Sequence, residues 1–281
     1  MTASEAHLTA PKLLASKRTL VIGHRGYAQF APENTFPSFE MAVAAGADLI
    51  ELDYRRSKDG VLMVIHDPEL NRTTDARRRW RQRHNRVESR TALEIQTLDA
   101  GSWFGHEFAG TRVPVLAEAL EVIQRNSVAL VERKAGDALD LVKLLRGKHL
   151  INRVIVQSFD WAFLRALHQL APEQVIGALG PPKVLCSGRK PAAIFRRLNG
   201  PWLRELQKTG AKIAVWNQQV SRRGIQLAHQ RGIKVWVYTV NTQRRANRLL
   251  NVGVDGMITD NISLIWRTIA LRAGKNGRAA Q

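Results

Sequence analysis

At 281 residues, 44% of them hydrophobic, the chain is ordinary for one α/β barrel and long for two small domains. A total of 43 Lys and Arg against 24 Asp and Glu leaves a formal charge of +19. That balance favours anionic partners: phosphorylated substrates, acidic lipid surfaces or nucleic acid. The one cysteine, Cys186, excludes an intramolecular disulfide and a cysteine-rich zinc site, and no apolar run approaches the length that spans a bilayer.

Residues 1–17 read as a loose leader with one short helical stretch. The segment lacks the apolar core of a secretory signal, and Glu5 argues against a transit peptide. The expected compartment is the cytoplasm. A first strand, 19–24, ends in His24-Arg25-Gly26. The glycine predicts a sharp turn and close approach of the backbone to a ligand. Pro32 and Asn34 introduce a helix, with Asn34 as its N-cap and Gly46 as its stop. The second strand, 48–54, carries Glu51 and Asp53 on one face and Ile50 and Leu52 on the other. Two carboxylates side by side repel unless a cation lies between them. Oxygen donors favour a hard divalent ion, Mg²⁺ or Ca²⁺. An apolar run at 61–65 then delivers His66-Asp67.

The segment 67–114 is too long for a simple loop. It holds a basic run, 77–86, with Trp80 among its arginines. This run is a solvated surface, a source of positive field for an anionic substrate, or a docking patch for an acidic membrane. Further strands are expected at 128–134, 153–158, 174–179, 212–216, 234–240 and 256–260. Helical patterns at 116–125, 139–145, 161–170, 225–230 and 244–250 separate them. Strand–helix alternation predicts a parallel sheet, and eight strands predict closure into a (β/α)8 barrel. An open doubly wound sheet is the main alternative; no GxGxxG follows the first strand to support its dinucleotide-binding form. The barrel is expected over 18–272, with an insertion at 67–114 and loose termini at 1–17 and 273–281.

Barrel sites lie at the C-terminal strand ends. His24, Asp53, Lys134, Ser158, Asn241 and Asp260 all fall there. Glu132 and Lys134 share a face of the third barrel strand, so Glu132 can join Glu51 and Asp53 as a third metal ligand. The competing reading is a solvated face or ion pairs with arginines. His24 and His66 are placed to divide general acid and base work, since an imidazole titrates near neutral pH. Which is acid and which is base stays open. His7, His84, His106, His149, His168 and His229 receive no role.

Motifs in a fixed order carry a resemblance. They are His24-Arg25-Gly26, Pro32-Glu33-Asn34-Thr35, Glu51-Leu52-Asp53, Lys58-Asp59-Gly60, His66-Asp67-Pro68 and Asn71-Arg72-Thr73-Thr74. Later come Val131-Glu132-Arg133-Lys134, Gln157-Ser158-Phe159-Asp160, Tyr238-Thr239-Val240-Asn241, Gly253-Val254-Asp255-Gly256 and Thr259-Asp260. The set resembles the glycerophosphodiester phosphodiesterase family. The resemblance implies a TIM barrel whose insertion covers the mouth. It implies metal-dependent hydrolysis of a glycerophosphodiester to glycerol 3-phosphate and an alcohol. It implies one divalent cation, Mg²⁺ or Ca²⁺, on Glu51, Asp53 and Glu132. Catalysis would fall to His24 and His66, and substrate contacts to Arg25, Glu33, Lys134 and Tyr238. The implied partner is a small glycerophosphodiester, with weak association with an anionic membrane surface and no nucleic acid. Two departures stand out. Arg133 replaces the usual aliphatic residue but faces outward. Tyr238 replaces the usual tryptophan, narrowing an aromatic wall and adding a hydroxyl, which bears on substrate preference. Two other readings are a phospholipase D-type attack by an internal hydroxyl of a lysophospholipid or sphingolipid, and a non-enzymatic basic adaptor for acidic membranes.

Overall fold

The computed structural model describes residues 9–191 and 196–278. In chain order the strands are β1 (Leu20–Gly23), β2 (Leu49–Arg56), β3 (Leu62–Val64), β4 (Val128–Arg133) and β5 (Ile155–Ser158). They continue with β6 (Val175–Gly180), β7 (Ile213–Asn217), β8 (Lys234–Tyr238) and β9 (Gly256–Thr259). All except β3 run parallel, and β1 pairs with both β2 and β9. That pairing closes the sheet. The fold is a TIM barrel, and all eight expected barrel strands form; the open-sheet alternative falls. The antiparallel β3 folds back on the end of β2.

The helices are α1 (Ala10–Leu14), α2 (Phe36–Ala44), α3 (Ala76–Trp80), α4 (Ala92–Gln96), α5 (Leu116–Ile123) and α6 (Ala138–Gly147). After them come α7 (Trp161–Leu170), α8 (Gly200–Gln207), α9 (Arg222–His229), α10 (Gln243–Val252) and α11 (Ile262–Arg278). Strand parity divides the core in two. Ile50, Leu52, Val131 and Val156 point outward and pack against Phe39 of α2, Leu120 of α5 and Leu164 of α7. Ile22, Leu49, Leu130, Ile155, Val215, Trp236 and Ile258 fill the barrel interior.

The described parts of both terminal segments differ from expectation; 1–8 and 279–281 lie outside the described residues. Ala10 and Leu13 of α1 are buried in the same cluster as the interior residues. Lys234, at the start of β8, reaches the Ser16 carbonyl. So α1 closes the N-terminal end of the barrel, and the segment 9–17 is not a loose leader. At the other end α11 continues to Arg278. Its buried Ile262, Ile265 and Thr268 anchor it, and once nucleated a helix extends at little cost, so 273–278 are helical where a loose terminus was expected. His7 lies outside the described residues.

The insertion has its own core, in which Met63, Ile65, Leu70, Val87, Ile95 and Leu98 pack together. A capping box of Thr91 and Glu94 starts α4. Trp80 is half-buried against this core, with the Arg90 guanidinium 4.3 Å from its ring centroid. Of the histidines without a role, His84 pairs with Glu69 and His229 with Asp255. No helix among the described residues is long and apolar enough to cross a membrane.

Ile65 precedes His66 and belongs to the insertion core, so this core fixes one side of the mouth. Replacing the fully buried Ile95 by Ala should destabilise the protein by about 2–5 kcal/mol. Urea unfolding followed by circular dichroism measures this. A change within about 0.5 kcal/mol would mean that the insertion core is not packed as described.

Candidate active site

The site is built on two neighbouring strands. Asp53 of β2 stands directly opposite Glu132 of β4 in the parallel register, and Glu51 lies two residues earlier on the same face. All three carboxylates are buried, and each offers an oxygen within 4.8 Å of the others. Each is met by positive charge or a donor. The Arg25 backbone N–H donates to Glu51 Oε2 at 2.9 Å. Asn34 Nδ2 donates to Asp53 Oδ2 at 2.9 Å, and the Asp53 N–H donates back to Asn34 Oδ1 at 3.1 Å. The Lys134 ammonium lies 3.1 Å from Asp53 Oδ1 and pairs more closely with Glu132. Arg25 Nε lies 3.3 Å from Asp53 Oδ2. Glu51 Oε1 has no hydrogen-bond partner among the described residues.

Burial, then the charge of Asp53, pushes the Glu51 and Glu132 carboxyls well above the carboxylate range. Burial acts the same way on Asp53, but the charges of Lys134 and Arg25 outweigh it and hold its pKa low. Full ionisation of all three therefore calls for more positive charge than the side chains supply. An all-oxygen donor set with one unsatisfied buried oxygen fits a hard divalent cation. Among the described residues, Glu51, Asp53 and Glu132 are the group that could hold it.

The loop after β1 takes an unusual path. Arg25 and Asn34 have φ of 55° and 59°, and Gly26 has φ of 92°. A Cβ on Gly26 would fall 2.2 Å from Ser38 Oγ. The glycine thus admits the start of α2, where a ligand was expected. Asn34 is not the helix cap; Thr35 occupies that position. Asn34 is turned inward because Asp53, on the adjacent strand, needs both a donor and an acceptor.

Each histidine is backed by a carboxylate. His24 Nδ1 lies 2.6 Å from Asp260 Oδ1, and Asn241 holds Asp260 in turn. His66 Nδ1 lies 2.6 Å from Asp67 Oδ1, and Arg72 ties Asp67 to Glu33. The two rings are pushed apart. Burial disfavours the His24 cation, but the Asp260 hydrogen bond and the charge of Glu51 outweigh it, and its pKa rises. For His66, burial with the charges of Lys134 and Arg25 wins over Asp53 and Asp67, and its pKa falls.

A cavity of about 230 Å³ is lined by His24, Arg25, Glu51, Glu132, Lys134 and Tyr238, among others. Asp53, His66 and Glu33 are not among the described residues that line it. His66 is near enough to feel the charges of Asp53, Lys134 and Arg25, and Glu33 accepts from Arg25 at 2.8 Å. Tyr238 forms one wall, edge-on to Phe159. Its hydroxyl donates to the Gly180 carbonyl at 2.9 Å, so it meets backbone and presents only its ring to the cavity. Arg133 faces outward as expected, paired with Asp160. Sequence reading passed over the supporting roles of Asp260, Asp67 and Arg72. Asp67 and Asp260 were visible as acids at strand ends; Arg72 was visible only within the motif Asn71-Arg72-Thr73-Thr74, which assigns it no role.

A barrel mouth that gathers carboxylates, fixed cations and two carboxylate-backed imidazoles suits cleavage of a phosphate ester. Residues 24–264 match the glycerophosphoryl diester phosphodiesterase family. The chain belongs to that family and is a phosphoric diester hydrolase, which sets aside the non-enzymatic adaptor. It is 34% identical over 251 residues to the glycerophosphodiester phosphodiesterase of Caldanaerobacter subterraneus subsp. tengcongensis, spanning 87% of this chain and 95% of that one. Its identity to the Bacillus subtilis glycerophosphodiester phosphodiesterase is 32% over 268 residues, 88% of this chain and 85% of the other. Among solved structures, an Oleispira antarctica phosphodiesterase in complex with the product sn-glycerol-3-phosphate superposes with a TM-score of 0.78 at 26% identity. That match covers 92% of this chain and 99% of that one.

Asp260 is the partner that raises the His24 pKa, so replacing it by Asn removes that support. NMR titration of the imidazole should show the His24 pKa of Asp260→Asn below that of the native protein. An unchanged value would place the source of the shift elsewhere.

Proposed function

We propose that the protein hydrolyses glycerophosphodiesters to glycerol 3-phosphate and an alcohol, with a divalent cation, Mg²⁺ or Ca²⁺, as cofactor. The observation that carries this reading is the convergence of three buried carboxylates with Arg25, Lys134 and His24 around one small cavity. The activity named for the relatives, and the product bound by the Oleispira antarctica enzyme, support the same substrate class.

A phosphodiester monoanion resists nucleophilic attack until its charge is neutralised. Arg25 and Lys134 supply fixed positive charge, and they favour the more highly charged transition state over the ground state. A divalent cation on Glu51, Asp53 and Glu132 would add Lewis-acid stabilisation of phosphoryl charge when bound. Asp260 and Asp67 each engage an Nδ1, which leaves Nε2 of each ring for the reaction. Where environments push two titratable groups apart, they divide the acid and base roles. His24, with its raised pKa, is the acid that protonates the leaving alkoxide. His66, with its lowered pKa, stays neutral and is the base that takes the proton of the attacking water. Glu33 orients Arg25. Tyr238 and Phe159 present an apolar wall to the glycerol or alcohol carbons. Attack by an internal hydroxyl, releasing a cyclic phosphate, would use the same groups; phosphorus NMR of the products separates the two. The sn-glycerol-3-phosphate held by the Oleispira antarctica relative favours hydrolysis.

Chelation should abolish turnover of glycerophosphocholine, and Mg²⁺ or Ca²⁺ should restore it. Glu51→Gln should lose both metal, read by elemental analysis, and activity, while its circular dichroism spectrum is kept. Full turnover in excess chelator by metal-free protein would sink the cofactor assignment.

His24→Ala and His66→Ala should each lower kcat by roughly 10²-fold or more. A nitrophenyl phosphodiester, whose leaving group needs no proton, should rescue His24→Ala and leave His66→Ala impaired. The opposite pattern would reverse the two roles.

A further inference from the structure

The catalytic cavity adjoins a much larger one. The second measures about 1020 Å³ against 230 Å³, and Tyr238 and Thr239 line both. At ~30 Å³ per water molecule, the smaller cavity holds a glycerophosphoryl group and little more. The rest of a diester has to lie outside it. The insertion occupies the side of the mouth next to β2. The larger cavity lies on another side, over the ends of β6, β7 and β8, where Pro181, Asn217 and Tyr238 line it.

Its charge has one sign. Lys183, Lys190, Arg196 and Arg245 line it, and no Asp or Glu does among the described residues. None of the four takes part in an ion pair among the described residues. The insertion is mixed: Arg72 pairs with Glu33 and Asp67, Arg78 with Asp75, Arg86 with Glu88 and Arg90 with Glu94, while Arg77, Arg79, Arg81 and Arg83 take part in no ion pair among the described residues. Lys183 also lies 5.2 Å from the ring centroid of Phe159, a residue that lines the catalytic cavity. Pro181, Pro182 and Pro191 line the larger cavity too; their fixed φ pre-orders the segments that carry the cations, which lowers the cost of binding.

We propose that this larger cavity is the subsite for the leaving alcohol, and that it selects alcohols bearing their own negative charge, a phosphate or a carboxylate. The proposal rests on the hydrolase reading above and adds its substrate preference. An anion entering here displaces no existing carboxylate, so the contacts are net gains. Exposed pairs are individually weak, but three or four facing one phosphate predict a preference of about tenfold. The same cations disfavour a quaternary ammonium such as choline.

The test compares kcat/KM for glycerophosphoinositol, glycerophosphoinositol 4-phosphate, glycerophosphoserine and glycerophosphocholine at one low ionic strength. The 4-phosphate should exceed its unphosphorylated parent about tenfold, with the choline diester lowest. A gain for the serine diester over the choline diester, which also carries a cationic nitrogen but has no carboxylate, as well as for the 4-phosphate over its parent, shows that either anion suffices; a gain for the 4-phosphate alone shows that phosphate is required. Either result supports the subsite. In the variant Lys183→Gln/Arg196→Gln/Arg245→Gln, the ratio of 4-phosphate to parent should fall to near one. The three side chains are exposed, and circular dichroism checks the fold. A control, Arg77→Gln/Arg79→Gln/Arg81→Gln/Arg83→Gln in the insertion, should keep the native ratio, which separates local contact from long-range attraction. Equal kcat/KM for all four substrates, or a ratio that the triple variant leaves untouched, overturns the subsite. Failure to cleave any of the four overturns the hydrolase reading instead.

Discussion

The mutual repulsion of three buried carboxylates is the constraint around which this molecule is arranged. Two unit charges 4 Å apart repel by roughly 4 kcal/mol at an effective dielectric of about 20. Three such pairs approach the whole stability of a typical domain, about 5–15 kcal/mol. Glu51, Asp53 and Glu132 can coexist only because their surroundings are built to oppose that repulsion. Lys134 stands between two of them, Arg25 gives a backbone N–H to one and a guanidinium to another, and Asn34 gives Asp53 both a donor and an acceptor. The same repulsion raises the pKa of Glu51 and Glu132 and so makes the cluster receptive to an added cation.

The distortions around the site follow from that demand. Arg25 and Asn34 adopt left-handed backbone conformations, which are uncommon for residues other than glycine. Both point a polar group at a carboxylate of β2. Beyond this inner ring, the two histidines are held by acids from different parts of the fold: Asp260 follows β9, and Asp67 opens the insertion. The chemical centre is therefore rigid, drawn from strand ends and from loops tied to them. Lys183, Lys190 and Arg196, which take part in no ion pair among the described residues, line another side of the mouth.

Much of this was legible in the sequence, because strand parity is a strong local rule. Alternation alone places Glu51 with Asp53, and Glu132 with Lys134. Short runs of Val, Ile and Leu marked all eight barrel strands. The reading failed where a local rule met a distant partner. Asn34 after a proline looks like a helix cap, and nothing nearby reveals that Asp53, 19 residues away, claims its side chain. Gly26 does require special backbone geometry, but what approaches it is Ser38 of α2. The short helical stretch within 1–17 was legible, but not its packing, because only the open end of a finished barrel gives Ala10 and Leu13 somewhere to bury. The Tyr238 hydroxyl looked free to meet a substrate until the Gly180 carbonyl, on a strand two places away, took it.

The carboxylate cradle spans two adjacent parallel strands, with Asp53 and Glu132 at the same level of the ladder. Its width is thus inherited from the backbone hydrogen bond, which holds neighbouring strands ≈ 4.8 Å apart in every sheet. Evolution cannot widen that gap without breaking the barrel. What it can vary is reach: Glu sets its oxygens one methylene farther from the strand than Asp. The combination of two glutamates and one aspartate is therefore the adjustable part of an otherwise fixed gauge. Exchanging lengths at these three positions would change the size of ion that the cradle could hold while the scaffold stayed the same.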